Sequence, residues 1–133
     1  MQTLAKEIMS RELLTANRRS TVEEIVKLFI HHRITGVPVV DARGRMIGIC
    51  SEYDLIRQVS AAGKPGFLPF RKTIEFSRKI ESVEEDTPLS LIVRKFVSKK
   101  YRRLPVLDKK GKLVGIITRR DLMRVFFYQA KLG

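Results

Sequence analysis

Two short segments carry side chains that could hold a sugar and a phosphate. Ser51 is followed three residues later by Asp54, and Thr118 is followed three residues later by Asp121. Each segment follows an apolar strand and opens a helix, where free N–H groups and the helix dipole favour anions. A hydroxyl there can donate to a phosphate or ribose oxygen. A carboxylate one turn further on lies on the same helix face and can accept both hydroxyls of a ribose.

The same residue types also make good helix caps. A Ser or Thr at the N-cap contributes about 1 kcal/mol without any ligand. Caps would be duplicated along with the fold, so the presence of two pairs does not separate the two roles. What favours a ligand is the apolar strand before each pair, Val37-Pro38 and Leu104-Pro105. Aliphatic side chains there can cover an adenine ring, and proline removes a backbone donor.

The two segments differ in charge. Arginines surround the second pair, and the first pair has neutral or acidic residues in the matching places. The arginines are Arg102, Arg103, Arg119 and Arg120, and their counterparts are Thr35, Gly36, Glu52 and Tyr53. Guanidinium groups suit phosphate oxygens, which a glutamate would repel. We therefore expect a phosphorylated ligand at the second pair, and a weaker, vacant or less anionic site at the first.

Both pairs belong to an internal duplication. A shift of 67 residues aligns the two halves without a gap, so that 37–41 lies over 104–108 and 48–54 lies over 115–121. Two copies are too few for a solenoid. They predict a pair of units related by a pseudo-twofold axis, in which each copy covers the apolar face of the other.

Each half is predicted to run strand, helix, strand, strand, helix. Helical spacing of apolar residues begins after Ser20 and Thr87, which we predict as N-caps. The turns at 41–44 and 108–111 each begin with Asp and end with Gly, which predicts hairpins. Short extended segments, 13–16 and 80–83, precede the first helices. Residues 60–79 do not repeat, and their Gly and Pro predict a loop. Five apolar residues suggest that parts of this loop pack down: Phe67, Leu68, Phe70, Ile74 and Phe76.

This two-copy pattern resembles the tandem cystathionine-β-synthase (CBS) domain pair, or Bateman module. The residues that carry the resemblance are 36–41 with 48–54, and 103–108 with 115–121. In each copy a glycine is followed by a hydrophobic residue, any residue, Ser or Thr, two residues and Asp. The family's lead-in of Met and Ser or Thr is present as Met9-Ser10, and its counterpart before the second copy is altered to Phe76-Ser77.

The resemblance implies an α+β fold of two CBS repeats, βαββα each, packed as a pseudo-twofold pair through their sheets. The first repeat would span 1–62, a linker 63–78 and the second repeat 79–133. Clefts between the copies would bind an adenosine ligand, namely AMP, ADP, ATP or S-adenosylmethionine, and no cofactor. The extended segments Thr15-Ala16 and Ser82-Val83 would read the adenine edge through their backbone. Such modules often form homodimers, as a disc of four CBS domains.

The predicted function is a regulatory module without chemistry of its own, which passes the ligand state to a dimer or to an unknown regulated protein. The predicted site in the first repeat comprises Thr15, Ala16, Val37, Pro38, Ser51 and Asp54. The predicted site in the second repeat comprises Ser82, Val83, Arg102, Arg103, Leu104, Pro105, Thr118, Arg119, Arg120 and Asp121. No catalytic set and no metal site are expected, because the neighbouring His31 and His32 would diverge on a helix.

Composition further limits the class of protein to which this chain could belong. The 133 residues include 27 Lys and Arg against 14 Asp and Glu, a net charge of +13. Apolar runs are far shorter than a bilayer requires, and no apolar leader is seen, so a cytoplasmic protein is expected. The one cysteine, Cys50, excludes an internal disulfide and is expected to be a small buried hydrophobe. Nucleic-acid binding through the basic surface stays open as an alternative or an addition.

Overall fold

The computed structural model describes residues 2–61 and 68–132. The helices are α1 (Ala5–Ile8), α2 (Val22–His32), α3 (Glu52–Ala61), α4 (Leu68–Arg71), α5 (Leu89–Lys99) and α6 (Arg119–Leu132). The strands are β1 (Gly36–Val40), β2 (Met46–Ser51), β3 (Val83–Glu84), β4 (Arg103–Leu107) and β5 (Leu113–Thr118). The mixed helix and strand content and the order of elements agree with the predicted α+β class.

The chain divides into two compact units. One unit, here the first-repeat unit, comprises Leu14–Ile80. The other, here the second-repeat unit, comprises Glu81–Gly133 together with the N-terminal residues Met1–Leu13. The N-terminal segment thus packs with the second copy of the repeat, although the division predicted from the sequence placed it with the first. The first unit is in effect inserted between two parts of the second.

Each unit is built around one antiparallel hairpin. In the first-repeat unit β1 pairs with β2, and Gly36 lies opposite Ser51. In the second-repeat unit β4 pairs with β5, and Arg103 lies opposite Thr118. Both hairpins carry a register shift at the same place, near the turn. Both turns use a glycine at positive φ, Gly44 at 81° and Gly111 at 82°, as the predicted turn chemistry requires.

A third strand lies beside each hairpin. β3 runs parallel to β4, whereas its counterpart is reduced to a single parallel bridge between Ala16 and Val39. These contacts lie at the ends of the two predicted extended segments, 13–16 and 80–83, and their parallel direction was not predicted. Each segment leads the chain back to a helix that covers the hairpin, as a parallel crossover requires.

The helix starts differ by one residue from those predicted. Thr21, not Ser20, caps α2, and its hydroxyl accepts from the Glu24 amide at 3.2 Å. Ser20 instead accepts from the Asn17 amide at 3.0 Å and is buried. Pro88 occupies the N-cap of α5, and the Thr87 hydroxyl accepts from the Glu84 amide. In both cases the predicted residue stabilises the preceding turn instead of the helix.

Each unit has its own apolar core. The first-repeat core includes Val22, Phe29, Val37 and Cys50, and the second-repeat core includes Ile92, Phe96, Leu104 and Ile117. The apolar residues of α2 and α5 supply one side of each core and the hairpins supply the other. This is the arrangement that helical spacing over a buried strand predicts.

Part of the non-repeating stretch belongs to the first-repeat core. Ile74 is buried there, and Phe70 and Phe76 pack against the same cluster, which confirms that these residues pack down. Backbone bridges join Thr21 to Thr73 and Ile49 to Ser77. Phe67 and the predicted turn residues Gly63, Pro65 and Gly66 lie outside the described residues.

Each of the two lead-in segments, 9–10 and 76–77, packs against the second strand of a hairpin beside a glycine. Ser10 exchanges backbone hydrogen bonds with Ile116, and Ser77 exchanges them with Ile49. A Cβ on Gly115 would collide with the Met9 side chain, and one on Gly48 would collide with Ser77 and Phe76. Residues 9–10 therefore pack on the hairpin of the second-repeat unit, and residues 76–77 pack on the hairpin of the first-repeat unit.

Candidate functional site

The junction between β5 and α6 holds Thr118 and Asp121 in a reciprocal pair. Asp121 Oδ2 accepts from the Thr118 amide at 2.8 Å and from the Thr118 hydroxyl at 3.1 Å. The Thr118 hydroxyl in turn accepts from the Asp121 amide at 3.2 Å. The carboxylate is buried, with 8% of the residue exposed. One oxygen of Asp121 is thus committed to the start of the helix.

The junction between β2 and α3 repeats this geometry. Asp54 Oδ2 accepts from the Ser51 amide at 2.8 Å and from the Ser51 hydroxyl at 3.0 Å, and the hydroxyl accepts from the Asp54 amide at 3.2 Å. Asp54 is likewise buried, with 6% exposed. The capping role that the sequence allows is therefore present in both units.

The second carboxylate oxygen of each pair faces an arginine one turn further along. Asp121 Oδ1 lies 3.5 Å from Arg124, and Asp54 Oδ1 lies 3.3 Å from Arg57. Both arginine side chains are more than half exposed. In each pair the carboxylate is buried and the guanidinium reaches solvent, where water screens its charge and its side chain can move away. A ligand hydroxyl that displaced the arginine would therefore lose little, and the cap would stay intact.

A groove lies beside Asp121 in the second-repeat unit. Its volume is about 560 Å³, within the range typical of small-molecule sites. The lining residues come from α1 and α6, and apart from Asp121 they are Glu7, Ile8, Arg124, Val125, Tyr128, Gln129 and Leu132. The groove thus offers apolar surface next to a buried carboxylate.

The four predicted arginines gather at the other side of the same junction. Arg119 donates from Nε to the Tyr101 carbonyl at 2.8 Å and from Nη2 to the Lys100 carbonyl at 2.9 Å. Its amide donates to the Arg102 carbonyl at 3.3 Å. Burial, and then the charge of Arg102, lower the pKa of Arg103. Arg102 and Arg120 are exposed. The electrostatic surroundings here favour an anion, although Arg119 already uses two of its donors.

The matching place in the first-repeat unit is not basic. Glu52 donates its amide to the Thr35 carbonyl at 3.0 Å, in the same way as Arg119 does to Arg102. Tyr53 is 67% exposed, and Arg57 lies over its ring at 5.5 Å. The backbones of the two junctions therefore correspond, but their side chains have different charge.

The remaining predicted site residues are less accessible or lie elsewhere. Val37 and Leu104 are fully buried in their own cores. Pro38 and Pro105 are buried, Ala16 is buried and Thr15 is exposed. Ser82 and Val83 line a different groove, with Lys95 and Lys109, and not the groove of Asp121.

Cys50 is a buried strand residue, as predicted. None of its surface is exposed, and its thiol contacts the Glu75 carbonyl at 3.5 Å. Burial, with a smaller contribution from the charge of Asp54, raises the pKa of the thiol from 9.0 to about 12. The thiol is therefore protonated at neutral pH. His31 and His32 are exposed, and the described ranges contain no group of three metal-ligating side chains.

Several residues at these sites were not predicted from the sequence. Arg57 and Arg124 follow their aspartates at three residues and are themselves 67 residues apart, so the duplicated Asp-x-x-Arg spacing could have revealed them. Glu7 and Ile8 reach the groove only because the N-terminal segment packs with the second-repeat unit. Nothing in local spacing indicates that contact.

The fold and the duplicated hydroxyl–carboxylate pairs define the class of this protein, and comparison with known proteins agrees. The CBS domain model matches residues 5–61 and 72–128. The chain belongs to the CBS domain family.

Solved structures of CBS pairs are similar over nearly the whole chain. CBSX2 of Arabidopsis thaliana, solved in complex with AMP, has a TM-score of 0.80 and 26% identity over 96% of this chain and 98% of that one. The CBS domain pair of protein MJ0100, in complex with 5′-methylthioadenosine and S-adenosyl-L-methionine, has a TM-score of 0.76 and 29% identity, over 97% and 99%.

Among curated proteins, L-aspartate semialdehyde sulfurtransferase of Methanocaldococcus jannaschii is 30% identical over 126 residues, which cover 93% of this chain and 23% of that protein. The chain spans between 23% and 60% of the length of the first curated relatives that it matches. Within 2–61 and 68–132, no helix has the length and apolar character needed to cross a membrane.

Proposed function

We propose that this chain is a regulatory module that binds an adenosine ligand at its second-repeat unit. The ligand class comprises AMP, ADP, ATP and S-adenosylmethionine. Two of the similar solved structures hold AMP, or 5′-methylthioadenosine with S-adenosyl-L-methionine. Their likeness to this chain supports the ligand class, and the residues at the β5–α6 junction suggest where the ligand binds.

The observation that carries the proposal is the buried carboxylate of Asp121 beside a groove. Oδ2 holds the start of α6, and among the described residues Oδ1 is paired with the half-exposed Arg124 at 3.5 Å. In this proposal a ribose diol replaces Arg124 at Oδ1. The groove then covers the apolar parts of the ligand, and the positive end of the α6 dipole attracts its anionic part.

The arginines near the junction set the preference for a phosphorylated ligand. Arg102, Arg103 and Arg120 add positive charge beside Thr118, and Arg119 has donors left after its two carbonyl contacts. The corresponding first-repeat place carries Glu52, which disfavours phosphate. We propose that the Ser51–Asp54 site is the weaker one for AMP and ATP, and that it takes a less anionic ligand if it takes one.

The proposed role is control without catalysis. In each unit the buried carboxylate already serves a helix cap, which leaves it poorly placed to act as an acid or base. The ligand would act by binding one arrangement of the protein better than another, and the shift is limited by that difference in affinity. The regulated protein would be a second copy or another chain in the cytoplasm.

Exposed apolar side chains support a homodimer as part of this proposal. Ile30 and Val97 occupy equivalent positions and are 71% and 73% exposed, and Ile56 and Met123 are equivalent and 66% and 68% exposed. Phe126, Phe127 and Tyr128 are also exposed. Apolar positions exposed in both repeats suit a self-complementary contact between two copies.

Isothermal titration with AMP, ATP and S-adenosylmethionine tests the ligand site. Asp121→Asn keeps the size of the side chain but removes its charge, and Asp54→Asn is the matched variant in the first-repeat unit. We expect Asp121→Asn to weaken AMP binding at least tenfold, about 1.4 kcal/mol. Asp54→Asn should change it little. Equal losses would contradict the proposed preference, and the absence of binding to the wild-type protein would contradict the function.

A further inference from the structure

Six basic side chains meet at one corner of the second-repeat unit. We call this the basic corner, and it consists of Lys99, Lys100, Arg102, Arg103, Arg119 and Arg120. The contacts of Arg119 bring the segments together, because its guanidinium reaches the carbonyls of Lys100 and Tyr101 and its amide reaches Arg102. Arg103 lies opposite Thr118 in the hairpin. The end of α5, the start of β4 and the start of α6 thus present their cations side by side.

The exposed cations of this corner, Lys99, Lys100, Arg102 and Arg120, form no ion pair with an acidic side chain in the described part of the chain. In the described part of the chain the cations of the salt bridges are Lys6, Lys27, Arg45, Arg57 and Arg124. None of these belongs to the basic corner. Exposed like charges held close together favour an anion from outside.

The first-repeat unit shows that the fold does not require these cations. The six equivalent positions are His32, Arg33, Thr35, Gly36, Glu52 and Tyr53. With neutral histidine they carry one positive and one negative charge, against six positive charges in the basic corner. The backbones correspond closely, since Arg33 and Lys100 end their helices with φ of 52° and 56°. The same junction is therefore built with no net charge in one repeat and with strong positive charge in the other.

A structural role accounts for Arg119. Its two contacts satisfy carbonyls at the end of α5, where helices leave acceptors unpaired. Lys99, Lys100, Arg102 and Arg120 are exposed and make no side-chain hydrogen bond or ion pair with other described residues. Lys99 and Lys100 also lie outside the residues proposed above for the adenosine ligand. The corner therefore extends beyond what one nucleotide would occupy.

We infer that the basic corner binds the phosphate backbone of a nucleic acid. A chain of phosphodiesters presents negative charges at regular spacing, and each phosphate that contacts a Lys or Arg releases a bound counterion. Exposed lysines and arginines on three adjoining elements can follow such a chain without reading its bases. This binding goes beyond the proposed adenosine site and does not depend on it.

Fluorescence anisotropy with labelled single-stranded RNA, and in a second arm with duplex DNA, tests the inference between 50 and 200 mM salt. The test variant is Lys99→Gln/Lys100→Gly, in which glycine suits the left-handed conformation of position 100. The matched control is Lys109→Gln/Lys110→Gln, which removes the same charge from the turn at the other end of the same hairpin.

We expect the test variant to bind RNA about tenfold or more weakly at low salt, with a salt dependence lower by about one to two counterions. The control variant should stay within about twofold of the wild-type protein, since non-specific attraction depends on net charge, which both variants share. Equal losses in both variants would overturn the inference, as would no binding of RNA or DNA at 50 mM salt. Titration of the test variant with AMP measures the adenosine site separately. The two experiments therefore distinguish failure of nucleic-acid binding from failure of adenosine binding.

Discussion

At the scale of single residues, the pairs Ser51–Asp54 and Thr118–Asp121 each use one carboxylate oxygen in a helix cap and leave the other towards an arginine. A spacing of three residues at a helix start fixes this local geometry, so the cap could be predicted from the sequence, and the ligand role stays a proposal. The structure realises the cap in both repeats. Only the positions of the side chains show which carboxylate oxygen remains for a ligand. They also show that Arg57 and Arg124 face this oxygen. The accessible residues at a site depend on packing that local spacing does not determine.

Cys50 gives a prediction on pH at this scale. Its pKa is raised from 9.0 to about 12 by burial and by Asp54, so the folded state holds the thiol proton more tightly than the unfolded state. The resulting stability is fully present below about pH 9 and is lost as the pH rises towards 12. We expect the free energy of unfolding to fall more steeply over this range in the wild-type protein than in Cys50→Ala.

Denaturant unfolding at several pH values, with matched ionic strength, measures this difference. Cys50→Ala leaves the lysines and tyrosines unchanged, so their titration appears in both curves. Parallel curves for the two proteins between pH 9 and 12 would show that the thiol is not held in its neutral form.

At the scale of elements, the hairpins were predicted nearly to the residue, because Asp and Gly at their turns and short apolar strands on both sides leave few alternatives. Helix ends were less predictable. Ser20 and Thr21 are both capable caps, and the choice between them depends on the turn that Ser20 stabilises with Asn17. Arg33 and Lys100 end their helices in the left-handed conformation. This was not predicted, because neither residue is a glycine.

Arg33 provides the prediction at this scale. It ends α2 with φ of 52° and ψ of 42°, a region that costs an L-residue about 1–2 kcal/mol and glycine almost nothing. Glycine also loses about 0.5–1 kcal/mol through the entropy of the unfolded chain. We expect Arg33→Gly to raise the free energy of unfolding by about 0.5–1 kcal/mol in urea. Arg33→Ala, which keeps the strain, should give no gain, and an equal effect of both variants would refute the explanation.

At the scale of the whole molecule, the duplication predicted two similar units and the CBS fold. It did not predict that residues 1–13 belong to the second-repeat unit. The 67-residue shift compares sequence with sequence, and it assigns each lead-in to the copy that follows it along the chain. Pairing of Ser10 with Ile116 is a non-local contact, which only tertiary packing determines.

Removal of residues 2–10 tests this arrangement. The deletion takes Ala5 and Met9 out of the second-repeat core and removes the backbone partner of Ile116. We expect amide protection by hydrogen exchange to fall in β5 and to be retained in β2, whose partner Ser77 is unaffected. Unchanged protection of β5 after the deletion would contradict the assignment of the N-terminal segment.

Thermal unfolding shows whether this CBS pair recognises adenosine ligands. The melting temperature would be measured with AMP, ADP, ATP and S-adenosylmethionine, and with GMP and inorganic phosphate as controls. A ligand at about 100 times its Kd stabilises the folded state by about 2.7 kcal/mol, which raises Tm by several degrees. We predict such a rise with at least one adenosine compound and not with the controls. Identical melting temperatures with all six compounds at millimolar concentration would contradict the account.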